Sequence, residues 1–417
     1  MNLTEIKKMK RVLIYGFARE GKSTLRFLKK HAPRLRMDIF DAGIPAYAKE
    51  KPFNQYDAVV VSPGISRSKL RGVSKAKMTS NTELFFNSIS ESSRKKIIGI
   101  TGTKGKSTTT KFMVELLNRA DLAATAAGNF GTALLDVYDR LENKKLDYVV
   151  VELSSYQLEN LRRSPGIAIF LNIFPDHLDR HGTMKKYTEA KQSIWRYQKT
   201  GDMLVIPSSS KKTVVARQAK SAVIYAPSLP KNYVSAKSVL RATHFLQDLG
   251  AVATVAKILR IPKEIVIKEA RSFVGLPHRL ELFARKRGIA FCDDAISVNP
   301  AASEASVRFF GKKLGSIILG GQDRGQAFDE LVKTIRRTGA SVLVLESETA
   351  PKIIAALKRQ RYNHSYEVAS LRDAVTAALL YTKKGGTCLL SPGAPSYDSF
   401  KNFEQKGDQF KKIVAAL

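Results

Sequence analysis

Short β-branched runs alternate with amphipathic helical stretches from one end of this chain to the other, and that alternation restricts the fold more than any single motif. A strand buried on both faces reads as a continuous apolar run, and helices between such runs imply parallel strands joined by crossovers. Strands are predicted at residues 11–15, 37–40, 58–61, 97–100, 148–151, 168–171, 203–206, 316–319, 342–345 and 387–390. Helical stretches between them include residues 109–119 and 371–381. At 417 residues the chain exceeds what one ordinary hydrophobic core accommodates. Two junctions suggest boundaries: the polar stretch 88–96, and residues 274–278, where a helix stops and the pattern restarts. The expectation is an α/β protein of three domains, residues 1–92, 93–276 and 277–417, each with its own sheet.

Composition excludes several other classes. No run of eighteen apolar residues occurs, so no membrane-spanning helix is expected. The first ten residues are polar and basic, without the apolar segment of a secretory signal. Cys292 and Cys388 lack CxxC spacing, which argues against a zinc site or disulfide framework and fits a reducing, cytoplasmic setting. The formal net charge is +33, from 70 Lys and Arg against 37 Asp and Glu. These cations are spread over nearly every segment, with no basic tail or aromatic-interleaved patch. An even spread favours general attraction to anions such as nucleotides and does not indicate a nucleic-acid partner.

Two glycine loops follow predicted strands. The phosphate-loop text GxxxxGK[ST] occurs at Gly16-Phe-Ala-Arg-Glu-Gly-Lys-Ser23, whereas Gly99-Ile-Thr-Gly-Thr-Lys-Gly-Lys-Ser-Thr108 lacks the first glycine of that pattern, with Ile100 in its place. Context reverses the ranking. An ATPase loop needs a lysine on the phosphates, a hydroxyl on Mg²⁺ and an acidic residue at a neighbouring strand end. The second loop offers Lys106, Ser107 and Thr108, and the strand at 148–151 runs into Glu152. The first loop is followed by Asp41 at the end of the strand at 37–40, the arrangement of a dinucleotide-type fold. The first loop therefore reads as a site for the diphosphate of a nucleotide substrate, with Lys22 incidental, and the second as the ATP loop.

With these loops in view, the chain resembles the Mur ligase family and the related folylpolyglutamate synthases. The resemblance rests first on Thr101-Gly-Thr-Lys-Gly-Lys-Ser-Thr108. Three further segments resemble the D-glutamate-adding branch: Glu152-Leu-Ser-Ser-Tyr-Gln-Leu158; Asn172-Ile-Phe-Pro-Asp-His-Leu-Asp-Arg-His181 with Tyr187-Thr-Glu-Ala-Lys191; and Ser391-Pro-Gly-Ala-Pro-Ser-Tyr-Asp-Ser-Phe-Lys-Asn-Phe-Glu-Gln-Lys-Gly-Asp-Gln-Phe410. Ser62-Pro-Gly-Ile65, Gly128-Asn129, Gly275-Leu-Pro-His-Arg-Leu-Glu281 and Gly320-Gly-Gln-Asp-Arg-Gly325 fall between them in the expected order.

The resemblance implies a Rossmann-like N-terminal domain, a central ATPase-type domain with a parallel sheet and a Rossmann-like C-terminal domain. It implies an ATP-dependent ligase that activates the carboxylate of UDP-N-acetylmuramoyl-L-alanine as an acyl phosphate and joins it to D-glutamate, in peptidoglycan precursor synthesis. It further implies Mg²⁺, as two ions, and a monomer is expected. Gly102, Thr103, Lys104, Gly105, Lys106, Ser107 and Thr108 would form the ATP loop, with Asn129, Arg279 and Asp294 as further ATP contacts. Ser107, Thr108 and Glu152 would hold one Mg²⁺. His177 would help hold the other with Lys191, which matches a lysine that the family carries as a carbamate. Lys106, His177 and Lys191 are thus the catalytic candidates. Gly16, Arg19, Glu20, Asp41, Ser62 and Gly64 match positions around the uridine diphosphate. Arg324, Ser396 and Phe403 match the amino-acid pocket, where Arg324 stands in place of a frequent lysine and could pair a carboxylate bidentately.

The chain departs from the family pattern in places. A His-Asn followed by a second Asn near the nucleotide base is replaced by His244-Phe-Leu-Gln-Asp248. The segment Asp-Ser-Lys-Ala-Thr-Asn reads Asp294-Ala-Ile-Ser-Val-Asn299, so Ile296 replaces a lysine and Val298 a hydroxyl, with Ser297 and Asn299 as compensating candidates. The stretch 195–240 is short and poorly matched. These changes touch the adenine contacts and the choice of amino acid. A sister ligase using L-glutamate or another acceptor, a silent nucleotide-binding scaffold and a nucleic-acid ATPase are the competing readings.

Overall fold

A computed structural model describes residues 1–49, 52–65, 67–235 and 243–417. Its strands form three sheets, and the β-branched runs lie at their centres. The first sheet contains β1 (Arg11–Tyr15), β2 (Arg36–Phe40), β3 (Ala58–Val61) and β4 (Met78–Thr79), all parallel, in the order β2-β1-β3-β4. The second contains β5 (Ile97–Thr101), β6 (Ala124–Gly128), β7 (Tyr148–Glu152), β8 (Ile167–Phe170), β9 (Met203–Pro207) and β10 (Ala222–Ala226). These six are also parallel, in the order β10-β9-β8-β5-β7-β6. The third contains β11 (Glu281–Lys286), β12 (Ile289–Asp293), β13 (Leu314–Leu319), β14 (Ser341–Leu345), β15 (Ser365–Val368) and β16 (Thr387–Leu390). Its order is β11-β12-β16-β13-β14-β15, parallel except that β11 runs antiparallel to β12.

The chain divides into two compact units, the first ending at Phe273 and the second beginning at Val274. The first unit holds the first two sheets, and the second unit holds the third. Central strands are buried on both faces, as parallel strands covered by crossover helices must be: every residue of β5, β8, β14 and β16 is buried. Cys292 and Cys388 are free thiols buried on neighbouring strands β12 and β16. Among the described residues, no helix is long and apolar enough to cross a membrane.

The stretch 88–96, expected as a linker, is ordered by a buried ion pair. Residues Glu91–Lys95 form a short helix capped by Ser90. The Arg94 guanidinium is buried there, donating to Asp202 (2.8 Å), Glu91 (2.7 Å) and the Ser164 carbonyl (3.0 Å). Arg94 thus has internal partners, while Ser90, Glu91, Ser92 and Lys95 are exposed.

Candidate active site

The loop after β5 turns on Gly105, which caps the helix Lys106–Arg119 with a left-handed φ of 88°. A Cβ there would lie 2.0 Å from the Asp248 carboxylate, so both backbone and space demand glycine. The loop is stapled by Asn172, two residues beyond β8. Its side-chain oxygen accepts from the amides of Thr103 (3.1 Å) and Lys104 (2.9 Å), and its side-chain nitrogen donates to the Lys104 carbonyl (3.0 Å). The Thr103 hydroxyl meets Tyr187 Oη at 3.1 Å. No acidic residue stands in the first turn of the following helix, leaving its N-terminal amides and dipole to an anion.

Two ammonium groups converge on this loop. Lys106 Nζ donates to the carbonyls of Gly102 (3.0 Å) and Thr103 (3.1 Å), and Lys191 Nζ donates to the same Gly102 carbonyl (2.9 Å). Lys191 is buried on the helix Met184–Arg196, 5.0 Å from the centre of the Tyr187 ring. Burial, and next the Lys106 charge, lower its pKa to about 7, so its neutral amine is accessible near neutral pH. Two cations against one carbonyl are a poor arrangement unless an anion completes it.

Glu152, the last residue of β7, is 1% exposed. One carboxylate oxygen accepts from the Asn129 side chain at 2.7 Å. The other is buried without a hydrogen-bond partner among the described residues. A buried, unpaired carboxylate oxygen beside a phosphate loop has the chemistry of a hard-cation ligand. His177 sits in a left-handed conformation (φ 51°) ahead of the short helix Leu178–His181, its Nδ1 3.1 Å from Tyr156 Oη and its ring half-exposed. Ser107 is half-buried and Thr108 buried in the first turn of their helix.

The first loop is built differently. Asp41 is taken up by backbone: one oxygen accepts from the Phe17 amide (2.6 Å), the other from the Gly43 amide (3.0 Å). Ser62 donates its hydroxyl to the Gly16 carbonyl (2.9 Å), and Gly64 is exposed nearby in sequence. Glu20 lies in the first turn of the helix Arg19–His31, accepting from the Gln157 side chain (2.7 Å), and its second oxygen is buried without a partner among the described residues. Burial raises its pKa. A carboxylate there competes with a triphosphate for the helix N-terminus, a physical reason why the textual phosphate loop is the poorer one. Arg19, expected at a diphosphate, instead donates to the carbonyls of Gly128, Asn129 and Gly131. Lys22 is exposed.

In the second unit, Asp294 is enclosed. It accepts from the hydroxyls of Ser297 (2.7 Å), Ser306 (2.6 Å) and Ser391 (2.9 Å) and from the Leu280 amide (3.2 Å), leaving it as an internal hub in this structure. Ser297 is thereby engaged, and the Asn299 side-chain oxygen caps the helix Pro300–Phe310 by accepting from the Ala302 amide. Arg279 is half-buried near His278, whose Nδ1 lies 2.7 Å from Asp293. Arg324 is exposed, donating to Gln322 (3.1 Å) and lying 5.6 Å from the centre of the Tyr397 ring. Ser396 is 1% exposed, with no partner for its hydroxyl among the described residues. Phe403 opens the C-terminal helix Phe403–Ala415, its ring nearly perpendicular to that of His278 with centres 6.0 Å apart. Lys406 lies one turn on, buried and donating to the Gly320 carbonyl at 2.7 Å. Asn172, Tyr187 and Lys406 fell within quoted segments without an assigned role, because nothing local marks a side chain as a brace for a distant loop.

Residues 100–262 match the Mur ligase middle domain, and residues 278–394 match the Mur ligase, glutamate ligase domain. UDP-N-acetylmuramoylalanine–D-glutamate ligase of Caldanaerobacter subterraneus subsp. tengcongensis is 34% identical, over 88% of this chain and 86% of that protein. The protein of the same name from Geobacillus sp. (strain WCH70) is 31% identical over 100% of both chains. Among solved structures, UDP-N-acetylmuramate-alanine ligase of Thermotoga maritima superposes with a TM-score of 0.59 at 16% identity, covering 98% of this chain and 99% of that one. MurF ligase of Thermotoga maritima in complex with ADP gives 0.57 at 15% identity, covering 100% and 98%. The structural likenesses speak for the fold alone.

Proposed function

Since the chain belongs to the Mur ligase family, we propose that it adds D-glutamate to UDP-N-acetylmuramoyl-L-alanine with hydrolysis of ATP to ADP and phosphate. The single observation that carries this reading is the convergence on one phosphate loop of Lys106, Lys191 and the unpaired oxygen of Glu152. The names of the full-length relatives supply the substrates.

In this reading the amides of residues 102–108 and Lys106 bind the ATP phosphates, Lys106 leaving the Gly102 and Thr103 carbonyls for the stronger anionic partner. Ser107, Thr108 and Glu152 suit one Mg²⁺, and His177 with Lys191 suits a second. Lys191 would do so as a carbamate, formed when its neutral amine adds to carbon dioxide and releases a proton. The bound ions would neutralise the repulsion between the muramoyl-alanine carboxylate and the γ-phosphate. The chain's own contribution is positioning: Asn129 orients Glu152, Asn172 fixes the loop, and Tyr187 packs beside Lys191. The carboxylate attacks the γ-phosphorus and ADP leaves. The glutamate amine then attacks the acyl phosphate, phosphate leaves, and the amine proton passes to solvent. Gly16, Glu20, Asp41, Ser62 and Gly64 frame the UDP end. Arg279 and Asp294 belong with the nucleotide, and Arg324, Ser396 and Phe403 with the amino acid. Each of the three sheets then corresponds to one domain, with boundaries near residues 92 and 276.

A second reading keeps the mechanism and changes the amino acid. It is favoured by Ile296 and Val298, together with the engagement of Ser297 by Asp294. The test is ADP release with UDP-N-acetylmuramoyl-L-alanine and ATP·Mg²⁺ against an amino-acid panel that includes both glutamate enantiomers. Turnover that requires D-glutamate is expected. Turnover with another amino acid selects the second reading, and none with any member overturns both.

A further inference from the structure

Arg19 was expected at a diphosphate, yet its hydrogen bonds run elsewhere. β6 ends in a tight turn over residues 128–132, closed by the Gly128 amide on the Thr132 carbonyl at 2.8 Å. Gly128 and Gly131 have φ of 97° and 82°, and a Cβ on Gly131 would lie 2.5 Å from the Ala126 carbonyl oxygen. The turn aims the carbonyls of Gly128, Asn129 and Gly131 at one point, where the Arg19 guanidinium donates to them at 2.6, 3.0 and 2.8 Å. Three converging carbonyl oxygens make a locally negative cradle, and a planar cation with several fixed donors fits it.

Asn129 belongs to that turn and reaches Glu152 twice. Its backbone amide donates to the Glu152 carbonyl (2.9 Å), and its side chain donates to the Glu152 carboxylate (2.7 Å). The next residue of the first loop grips the other side of Glu152. Glu20 accepts from Gln157, which caps the short helix Ser155–Leu158 by accepting from the Ser154 amide at 3.0 Å. Arg19 and Glu20 therefore hold the turn that contacts Glu152 and the short helix that follows it in sequence, and Glu152 keeps an unpaired buried oxygen beside the ATP loop.

We propose that Arg19 is a positioning residue for Glu152, acting through the turn at 128–132 and Asn129, and is not a ligand of the substrate diphosphate. The proposal rests on the assignment of Glu152 to a divalent cation. Outer-shell partners of metal-binding carboxylates typically alter affinity by about 10–100-fold, and Arg19 acts through one further residue.

The test uses the full chain with Mn²⁺ as probe. Mn²⁺ binding in the presence of ADP is followed by electron paramagnetic resonance, and UDP-N-acetylmuramoyl-L-alanine binding without metal is followed by calorimetry. Arg19→Ala is expected to weaken Mn²⁺ binding by roughly tenfold and to leave the affinity for the UDP substrate within about twofold. Arg19→Lys should recover part of the loss, and millimolar guanidinium should restore Mn²⁺ binding to Arg19→Ala by filling the carbonyl cradle. If circular dichroism shows that Arg19→Ala does not fold, Arg19→Lys and Arg19→Gln carry the same comparison. Weakened UDP-substrate binding with unchanged Mn²⁺ binding would make Arg19 a diphosphate ligand and overturn the proposal. So would unchanged Mn²⁺ binding in Arg19→Ala alongside its loss in Glu152→Gln. If Glu152→Gln also binds Mn²⁺ normally, the metal assignment itself falls, and the role of Arg19 falls with it.

Discussion

Replacing Asp248 with asparagine isolates the consequence of a carboxyl buried against a phosphate loop. Asp248 lies on the helix Thr243–Ile258, is 6% exposed, and has no hydrogen bond or ion pair among the described residues. Burial alone pushes its pKa up to about 8. The sign follows from linkage. Below about pH 8 the folded protein keeps the proton, whereas the unfolded chain has released it above its ordinary value near 4. Folding therefore takes up a proton across that window, and stability falls as pH rises through it. About four units at roughly 1.4 kcal/mol each set an upper limit of about 5 kcal/mol. Water entry and small rearrangements around a partly reachable carboxyl reduce this to about 2–4 kcal/mol.

Asparagine has the same shape and does not titrate, so Asp248→Asn should gain stability over the parent chain progressively with pH. Urea unfolding of both proteins, at about pH 5 and about pH 8.5, reads the difference directly. The expected gap widens by about 2–4 kcal/mol between those conditions. The same substitution removes a carboxylate that ionises beside the ATP loop, so the KM for ATP should fall relative to the parent at the higher pH and match it at the lower. A stability difference independent of pH would refute the reasoning, because it would mean that the Asp248 carboxyl titrates at its ordinary value.

Three further outcomes follow from the same geometry. Asp202→Asn, which leaves the buried Arg94 guanidinium with the half-exposed Glu91 as its remaining carboxylate partner, should cost about 1–3 kcal/mol in urea unfolding; no measurable loss would mean that water reaches the pair. Lys191→Met should abolish ligase activity, and the parent enzyme should lose activity on removal of carbon dioxide most readily below about pH 7, where the Lys191 amine becomes protonated; insensitivity to bicarbonate at every pH would exclude the carbamate. Arg324→Ala should raise the KM for glutamate by about tenfold or more without changing ATP binding, measured by initial rates, and an unchanged KM would remove Arg324 from the pocket.

How much of this was legible in the sequence depended on where each element sits. β1, β3 and β16 coincide with their predicted residues because central parallel strands are apolar on both faces. The strands passed over are mostly sheet edges: β4, β6, β10, β11 and β15 each end a sheet order. Some of these edges are short or broken by polar residues, as in β4 (Met-Thr) and β15 (Ser-Tyr-Glu-Val), whereas β10 (Ala-Val-Ile-Tyr-Ala) is apolar throughout and was passed over all the same. β6 reads Ala-Thr-Ala-Ala-Gly, with Thr125 its one β-branched residue, and β11 reads Glu-Leu-Phe-Ala-Arg-Lys, with none. Within the stretch 88–96 charge suggested solvent, which holds for Glu91 and Lys95 but not for Arg94, whose partner Asp202 is internal.

The candidate site shows the same limit for individual side chains. Motif spacing placed Arg19, Asp41, Glu152 and Asp294 at loop and strand ends, but it could not say what each would meet in space. Asp41 and Asp294 have both oxygens occupied by backbone amides or hydroxyls, and Arg19 is occupied by three carbonyls. Glu152 is occupied on one oxygen only. Leaving a buried acceptor unpaired costs about 1–3 kcal/mol, and more when it is charged. Such an atom persists in a folded chain when a bound partner completes it, and a filled one gives no comparable sign of a ligand. On that criterion the second loop outranks the textual phosphate loop: its unpaired carboxylate oxygen accompanies two lysines directed at one carbonyl. At the first loop the unpaired oxygens are those of the Ser23 hydroxyl and of the Glu20 carboxylate, which stands within the helix turn that an incoming phosphate would need. The same deficit at Ser396, a buried hydroxyl without a partner, points to the amino-acid pocket more strongly than the fully satisfied Asp294 points to ATP.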